Sequence, residues 1–491
     1  MENVRHDLER DTDGITARDA VRERAVVSDS AGTRLAPAPR ASRHRYLIFA
    51  IVSVALFMSS VDLTIVSTAL PTIGRDLGGA GLNWTAWIIT IYSLGRVVTT
   101  PLVGRLSEIM GTRSIFIAAV ALFTAASLLC GLAVSLPLLI VLRAIQAVGG
   151  SAFVPAATGL VADSFGRNRD RAVGLFSSIF PIGAIVGPVL GGVLVTYWSW
   201  RGVFLINVPI GIAIVAVAPR VIPVGTPKPS ARFDLPGSAL LCSGLLCAAL
   251  AVTYLGDAGN GPTDPAFLAL AAVAVGTGTL LVRRSGRPGA ILPRRLLRGN
   301  GNGAMNIINL LFGAAAIGMS ALVPLYAQDR YGLSSLSAGT LLTARGIGMI
   351  AIAGMATFAL RRTGYRLPMV VGYLLSGAGL AMLAAPVPHG ISPHLWLSVS
   401  SLVVGIGMGT ALPASNNASM QIDPSQAASV AGLRVTLRQL GSIAAVSVTT
   451  ALMSRGSSPG LTEAWVFGAF GVLLVATLAL VPLVPEHRSS W

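Results

Sequence analysis

Asp62 stands inside the apolar run YLIFAIVSVALFMSSVDLTIVSTAL, Tyr46 to Leu70. About 20 apolar residues, each rising about 1.5 Å, cross a bilayer, so this run is long enough. A carboxylate at the centre of such a helix costs roughly 2.5–3.5 kcal/mol on insertion scales. Acids at such depth mark proton or ion pathways, or pair with a buried cation to hold two helices together. Every other acid reads as lying in a tail, a loop or a helix end. Asp62 lies about 12 Å from the outer end of its helix, Arg143 roughly 9 Å inside the outer end of the fourth apolar segment, and Arg96 roughly 18 Å into the second. Both cations are within reach of Asp62. Burial disfavours a charged carboxylate and a nearby guanidinium favours it, so an acid held between the two influences is a candidate proton carrier. The alternative for Arg96 is snorkelling to an interface, which its depth makes awkward.

Three further groups carry possible chemistry. Glu108, at the inner end of the second segment, is expected to face the start of the thirteenth, near Val430. A helix N-terminus carries roughly half a positive charge and favours an anion. Arg434 and Arg438, one turn apart, would strengthen that latch; the alternative is a solvated loop charge. Arg345, in Thr343-Ala-Arg345-Gly-Ile-Gly348, is the cation at depth in the second half, with two uses open: lining a cavity or binding a lipid phosphate. Gly183, Gly187 and Gly191 recur every fourth residue and share one helix face, leaving a flat groove. Pro188 removes a backbone donor and bends that helix.

The elements that must position these residues are membrane spans. Of 491 residues 53% are hydrophobic and 11% charged, against about 25% charged in a soluble domain. Apolar segments are expected at 46–70, 84–106, 114–134, 137–162, 173–196, 203–222, 235–256, 266–282, 302–327, 337–360, 367–386, 393–416, 430–453 and 464–484, fourteen helices in all. Alternate loops are basic: they carry Arg105 and Arg113, Arg167 to Arg171, Arg220 to Arg232, Arg283 to Arg298, and Arg361 to Arg366. The other loops carry only Arg75, Arg201, Arg330 and Arg455. That asymmetry places both termini in the cytoplasm of a multi-pass protein of the cytoplasmic membrane.

Residues 1–45 are polar and of mixed charge and are expected to be a disordered tail; they lack the short apolar core of a signal peptide. Two polar breaks bracket a pair of helices. The expected organisation is a six-helix bundle over 46–222, a linker and two-helix insert over 223–285, a basic loop over 286–301, a second six-helix bundle over 302–485 and a tail from 486. The fold class is thus all-α and integral to the membrane: two pseudo-symmetric bundles with a cavity between them, an arrangement many secondary transporters use. A second class of reading is a transport-inactive membrane sensor or scaffold. So many spans with so little soluble mass argue against it.

Other functions are disfavoured. The net charge is +16, but the basic residues form no single face or tract for nucleic acid. Cys130, Cys242 and Cys247 lie in apolar segments, so no exported disulfide framework is readable. The five histidines lie in tails or loops without metal-ligand spacing. No GxxxxGK[ST] loop occurs, and the only lysine, Lys228, sits in a Pro-rich linker, which makes ATP an improbable drive. GxSxG and HExxH are absent. An enzyme, a cofactor and a metal are not expected.

Several stretches resemble signatures of the major facilitator superfamily. The string Gly183-Ala-Ile-Val-Gly187-Pro188-Val-Leu-Gly191-Gly192 resembles its antiporter motif. Gly104-Arg-Leu-Ser-Glu108-Ile-Met-Gly111-Thr-Arg113 resembles its loop signature between helices two and three, with Glu108 where Asp is usual and Ile109 replacing a common Arg. Arg143-Ala-Ile-Gln146-Ala147 resembles the fourth-helix RxxQG motif, with Ala for Gly. Asp62-Leu-Thr-Ile-Val-Ser-Thr-Ala-Leu-Pro71, and Trp200-Arg201 followed by Phe204-Leu-Ile-Asn207-Val-Pro209-Ile-Gly211, resemble first- and sixth-helix signatures of the fourteen-helix drug:proton antiporters. The second half matches more loosely, most clearly at Arg438-Gln439-Leu440-Gly441.

The resemblance implies a proton-driven exporter of drugs or natural products, with protons, a small amphipathic substrate and membrane lipids as its only partners, working as a monomer. A lipid or glycolipid exporter is the alternative within the family. Gly104, Glu108, Gly111 and Arg113 would form a cytoplasmic gate with Arg434 and Arg438. Gln146, Asn207 and Arg345 would face a substrate cavity. In the superfamily the fifth helix meets the eighth, which the insert renumbers to ten, so the glycine face is expected against Gly346 and Gly348. Asp329, Asp423, Glu463 and Glu486 are placed in loops or at membrane edges. The cavity is then net basic, which disfavours dications and tolerates anionic head groups.

Overall fold

A computed structural model describes residues 39–77, 82–177, 179–224, 234–256, 261–287, 289–298, 301–422, 427–453, 459–484 and 486. Every regular element among them is helical. Thirteen helices are long and apolar enough to cross a membrane, and a bent pair makes a fourteenth. In chain order they are α1 (Pro39–Asp76), α2 (Leu82–Met110), α3 (Thr112–Gly131), α4 (Leu136–Phe165), α5 (Arg171–Tyr197), α6 (Gly202–Val221) and α7 (Leu235–Gly256). Then follow α8 (Pro265–Arg284), α9 (Asn302–Gly318 with Leu322–Tyr331), α10 (Ser335–Thr363), α11 (Arg366–Ala384), α12 (Pro393–Ile422), α13 (Ala427–Met453) and α14 (Gly460–Leu483).

The span Met1–Tyr46 is described only from residue 39. Its residues 39–46 are described and helical, so α1 starts before the expected Tyr46. The rest of the expected tail, most of the linker at 223–233, and the chain end apart from Glu486 lie outside the described residues.

Within Leu47–Trp491 the buried apolar side chains gather in separate clusters. One is drawn from the second half, Met305 to Val484. Two are drawn from Ile48 to Ile222, one of them taking in Met420 and Ala427 of the second half. The α7–α8 pair attaches by a small cluster in which Leu241 meets Leu433 of α13. No residue of α8 is buried, so its apolar sides are left for lipid.

Two local features follow from particular residues. Asp234 caps α7: its carboxylate accepts from Gly237 N at 3.0 Å, as an N-cap acid should. It also receives Arg284 from the end of α8, Nη2 to Oδ1 at 2.8 Å and Nε to Oδ1 at 3.0 Å, closing the insert. Burial pushes this carboxyl up. The Arg284 guanidinium and the N–H groups of Gly237 and Ile291 outweigh that and hold it below the ordinary carboxylate range. The second feature is α9, expected as one helix over 302–327. It bends by 42° beside a π-helical stretch, Gly313–Gly318. A side chain at Gly313 would run into the backbone of Arg438, and one at Gly441 into that of Leu310. Bare backbone on both sides lets α9 and α13 touch, and the wide π turn takes up the misfit.

Candidate functional site

Asp62 is wholly buried and accepts from three side chains on two other helices. Arg143 Nη1 donates to Oδ2 at 2.8 Å. Gln146 Nε2 and Asn207 Nδ2 donate to Oδ1, each at 3.1 Å. Arg143 and Gln146 are one turn apart on α4 and therefore point the same way. Asn207 arrives from α6. A second ring of contacts fixes the first. Arg143 Nη1 also donates to Gln146 Oε1 at 2.7 Å, and its Nε to the Ile88 carbonyl at 3.3 Å. Gln146 Nε2 donates to Ser127 Oγ at 2.6 Å. The guanidinium lies 4.0 Å from the Tyr92 ring centroid and 5.6 Å from that of Phe204, positions that favour a desolvated cation.

Arg96 is buried too, 5.8 Å from the Tyr92 centroid. Its Nε and Nη1 have no hydrogen-bond partner, and among the described residues it makes no bond to Asp62. Arg143, not Arg96, is thus the cation that touches the acid. Gln146 and Asn207, expected on a substrate cavity, belong instead to the Asp62 cluster. Their amide N–H groups satisfy the second carboxylate oxygen, which a buried ion pair requires if its desolvation is to be offset.

At the junction of α2 with α13, Glu108 Oε1 accepts from the N–H of Ser429, in the first turn of α13, at 3.2 Å. Arg105 Nη1 donates to its other oxygen at 3.1 Å. Gly104 is needed there: a Cβ on it would lie 2.8 Å from the Ala428 carbonyl oxygen. Gly111 takes φ 89° between α2 and α3, a value side chains rarely tolerate. Arg113 Nη2 donates to the Pro219 carbonyl at 2.7 Å, tying α3 to the end of α6. Arg434 and Arg438 do not join this junction. They reach α12 instead: Arg434 Nη1 donates to the Asn416 carbonyl, and Arg438 to Asn416 Oδ1 and Ser415 Oγ, at 3.0, 3.0 and 3.1 Å. Both arginines start beyond the first turn of α13, so their side chains extend along α12 rather than back to Glu108.

The glycine face of α5 is turned to α1, not α10. A Cβ on Gly183 would meet Ser60 at 2.7 Å, one on Gly187 would collide with Thr64, and one on Gly191 with Thr68. Ser60, Thr64 and Thr68 share the same four-residue period, and the hydroxyls of Thr64 and Thr68 turn back to carbonyls of their own helix. Two matched smooth faces therefore meet. α5 does contact α10, but through Ile185, which fills the space over Gly346; Gly348 packs on α12 at Leu402 and Ile406. A side chain at Gly192 would meet nothing within 4 Å.

A cavity of about 530 Å3 lies between helices of the two halves. Its wall is mostly apolar: Leu56, Val154, Phe176, Phe180, Ile185, Pro188, Met349, Met408 and Leu412. Thr64 and Ser67 of α1, Thr343 and Arg345 of α10, Asn416 of α12 and Arg434 and Arg438 of α13 complete it. Asp62, Arg143, Gln146 and Asn207 are not on this wall.

The family model of the major facilitator superfamily matches residues 52–446. The chain belongs to the major facilitator superfamily. Its relatives include the multidrug transporter protein MdtP of Bacillus subtilis, 27% identical over 428 residues, covering 85% of this chain and 77% of that one. The cephamycin export protein CmcT of Amycolatopsis lactamdurans is 29% identical over 458 residues, covering 89% and 92%. In fold the chain is similar to the human organic anion transporter MFSD10, with a TM-score of 0.66 at 15% identity over 89% of this chain and 99% of that one. The protein is accordingly a multi-pass membrane transporter and not an enzyme, with multidrug and antibiotic exporters among its relatives.

Glu463 differs from its sequence reading, while Asp76 and Asp234 lie at helix ends as read but make contacts that reading did not name. Glu463, expected at a membrane edge, is fully buried in the first turns of α14, and neither carboxylate oxygen has a hydrogen-bond partner. Its place near the start of an apolar helix hid that burial. Asp76 accepts from Trp200 Nε1 at 2.8 Å, joining the end of α1 to the start of α6. Asp234, described above, was legible as an N-cap acid two residues before a proline but carried no functional flag. Of the remaining second-half acids, Asp329 is exposed, Glu486 accepts from Tyr365 N at 2.8 Å, and Asp423 lies outside the described residues.

Proposed function

We propose that this transporter is a proton-coupled antiporter that exports amphipathic drugs or natural products across the cytoplasmic membrane by alternating access. The observation that carries the reading is the Asp62 cluster: a carboxylate sealed among Arg143, Gln146 and Asn207 in the first half of the chain, on the helix whose Thr64 and Ser67 line the cavity. A proton arriving at Asp62 cancels the charge that Arg143 pairs with, loosening α1 from α4. The matched faces of α1 and α5 then provide a surface on which helices can shift without unlocking side chains. In the orientation set by the basic loops, both termini are cytoplasmic, and the Glu108–Ser429 contact closes the cytoplasmic end of the cavity. Protons, one small amphiphile and the surrounding lipid suffice as partners for a monomer, with no cofactor. A cavity of about 530 Å3 is in the range of drug-sized ligand sites.

The test is uphill export from proteoliposomes with an imposed pH gradient, wild type against Asp62→Asn. Gradient-driven export is expected in the first and only downhill leak in the second. Wild-type-like uphill export by Asp62→Asn would remove the carboxylate from the mechanism.

A further inference from the structure

The charge balance of the cavity narrows the substrate class. Three arginines line the cavity, Arg345, Arg434 and Arg438, and among the described residues no Asp or Glu does. Among the described residues none of the three is in an ion pair. Arg434 and Arg438 are held by Asn416 and Ser415, and Arg438 lies 5.6 Å from the Phe312 centroid. Those neutral partners orient the cations without cancelling them. Arg345 differs: among the described residues no side-chain hydrogen bond or ion pair engages its guanidinium, although its backbone is fixed, because Gly405 lets α12 close directly on its carbonyl. A rigidly mounted, unpartnered guanidinium in a mostly apolar chamber, backed by two more cations, is a costly arrangement when the chamber holds only neutral matter. An anion with two oxygens on one centre offsets that cost with charge-assisted, two-pronged hydrogen bonds.

We infer that the exported amphiphile is an anion, with an apolar body against the aromatic and aliphatic wall and a carboxylate, sulfonate or phosphate head on Arg345, supported by Arg434 and Arg438. This rests on the exporter reading above but not on its proton coupling. The head could belong to a free amphiphile or to an anionic phospholipid, which share this chemistry; we assign the free amphiphile, since one cavity of about 530 Å3 suits one drug-sized body better than two acyl chains.

Binding is measured with purified full-length protein in phosphatidylcholine nanodiscs at neutral pH and without a gradient, so a failure of proton coupling leaves the result unaffected. The probes are three dansyl compounds of similar size: dansyl-aminohexanoate, its methyl ester and dansylcadaverine, with empty nanodiscs as the blank. The anion is expected to bind about tenfold or more tighter than the ester and the cation, the effect of one charge-assisted hydrogen bond. Arg345→Gln is expected to erase that preference and Arg345→Lys to keep part of it. Equal or tighter binding of dansylcadaverine by the wild type overturns the inference, as does an anion preference that survives in a folded Arg345→Gln. If the Gln variant fails to elute as a monodisperse species, the wild-type preference and its partial retention in Arg345→Lys decide. Adding phosphatidylglycerol to the nanodiscs is expected to leave the anion's affinity unchanged; its displacement by that lipid would assign the site to lipid and overturn the inference.

Discussion

Replacing Arg143 by Met keeps most of the side-chain volume and deletes the charge facing Asp62. Both partners are 0% exposed in the ion pair, so the carboxylate has no water to turn to. Removing one member of a buried pair costs about 3–5 kcal/mol, because the other charge is left uncompensated. The variant also forfeits the bonds to Gln146 Oε1 and the Ile88 carbonyl and the stack on Tyr92. Two amide donors, Gln146 and Asn207, remain on Asp62, which keeps the cost toward the lower figure. Asp62→Asn alone is a different injury: Gln146 is pinned by Arg143 on its oxygen and Ser127 on its nitrogen, so a new amide N–H at position 62 meets either a donor or a cation. The double variant carries no unpaired ion. Its loss is therefore expected to be smaller than the sum of the single losses by about 2–3 kcal/mol. Thermal unfolding of the four proteins in one detergent measures this, with Arg143→Met expected about 3–5 °C below wild type. Single losses that simply add, within about 0.5 kcal/mol, would show that the two residues do not act as a pair and would refute the reasoning.

Gly187→Ala is expected to lower thermal stability by the equivalent of about 1–3 kcal/mol through overpacking on Thr64, and Thr64→Gly in the same chain to restore most of it; no rescue would mean that α5 yields elsewhere. Glu463→Leu is expected to leave the melting temperature unchanged or raise it, since it removes two buried oxygens that have no partner, and a drop of several degrees would reveal a bond to that carboxylate. Asp234→Asn is expected to lower stability at neutral pH. Because the folded Asp234 carboxyl titrates below its ordinary value, the stability it adds is fully present above the unfolded-state value and is lost as pH falls through the folded one. The gap between wild type and variant should therefore close only in strong acid, and a gap independent of pH would contradict the pairing with Arg284.

Fourteen apolar runs and one acid among them made the architecture legible and narrowed the partner of Asp62 to Arg143 or Arg96, because charge is so costly in an apolar helix that each instance stands out; the choice of Arg143 came from the fold. The approach of Glu108 to the start of α13 was legible for a similar reason, since a helix N-terminus has a fixed sign. Partner choice was not. A glycine every fourth residue announces a flat face but not its neighbour; the matching period of Ser60, Thr64 and Thr68 on α1 was the signal that could have supplied it. Gln146 and Asn207 carry amides that suit a ligand or a carboxylate equally well, and only the fold decides between them. Arg434 and Arg438 sat near a helix start by number, yet side-chain direction sent them along α12. Glu463 was misplaced because distance from a span's end says little about burial where helices pack closely.

The cluster around Asp62 is sealed behind the cavity wall, not set into it. Thr64, two residues on, lies about 200° around the helix and faces the cavity. In an exchanger where proton and cargo contend for one carboxylate, each expels the other by direct competition. In the exchange proposed above the two have separate addresses on opposite sides of α1, so neither displaces the other by direct competition. Protonation then reaches the cargo only through the conformation of α1, and any change it makes in cargo affinity is matched by an equal change that cargo makes in proton affinity. In that proposed scheme one short length of helix, the turn from Asp62 to Ser67, relays one occupancy to the other, and its stiffness is what limits slippage.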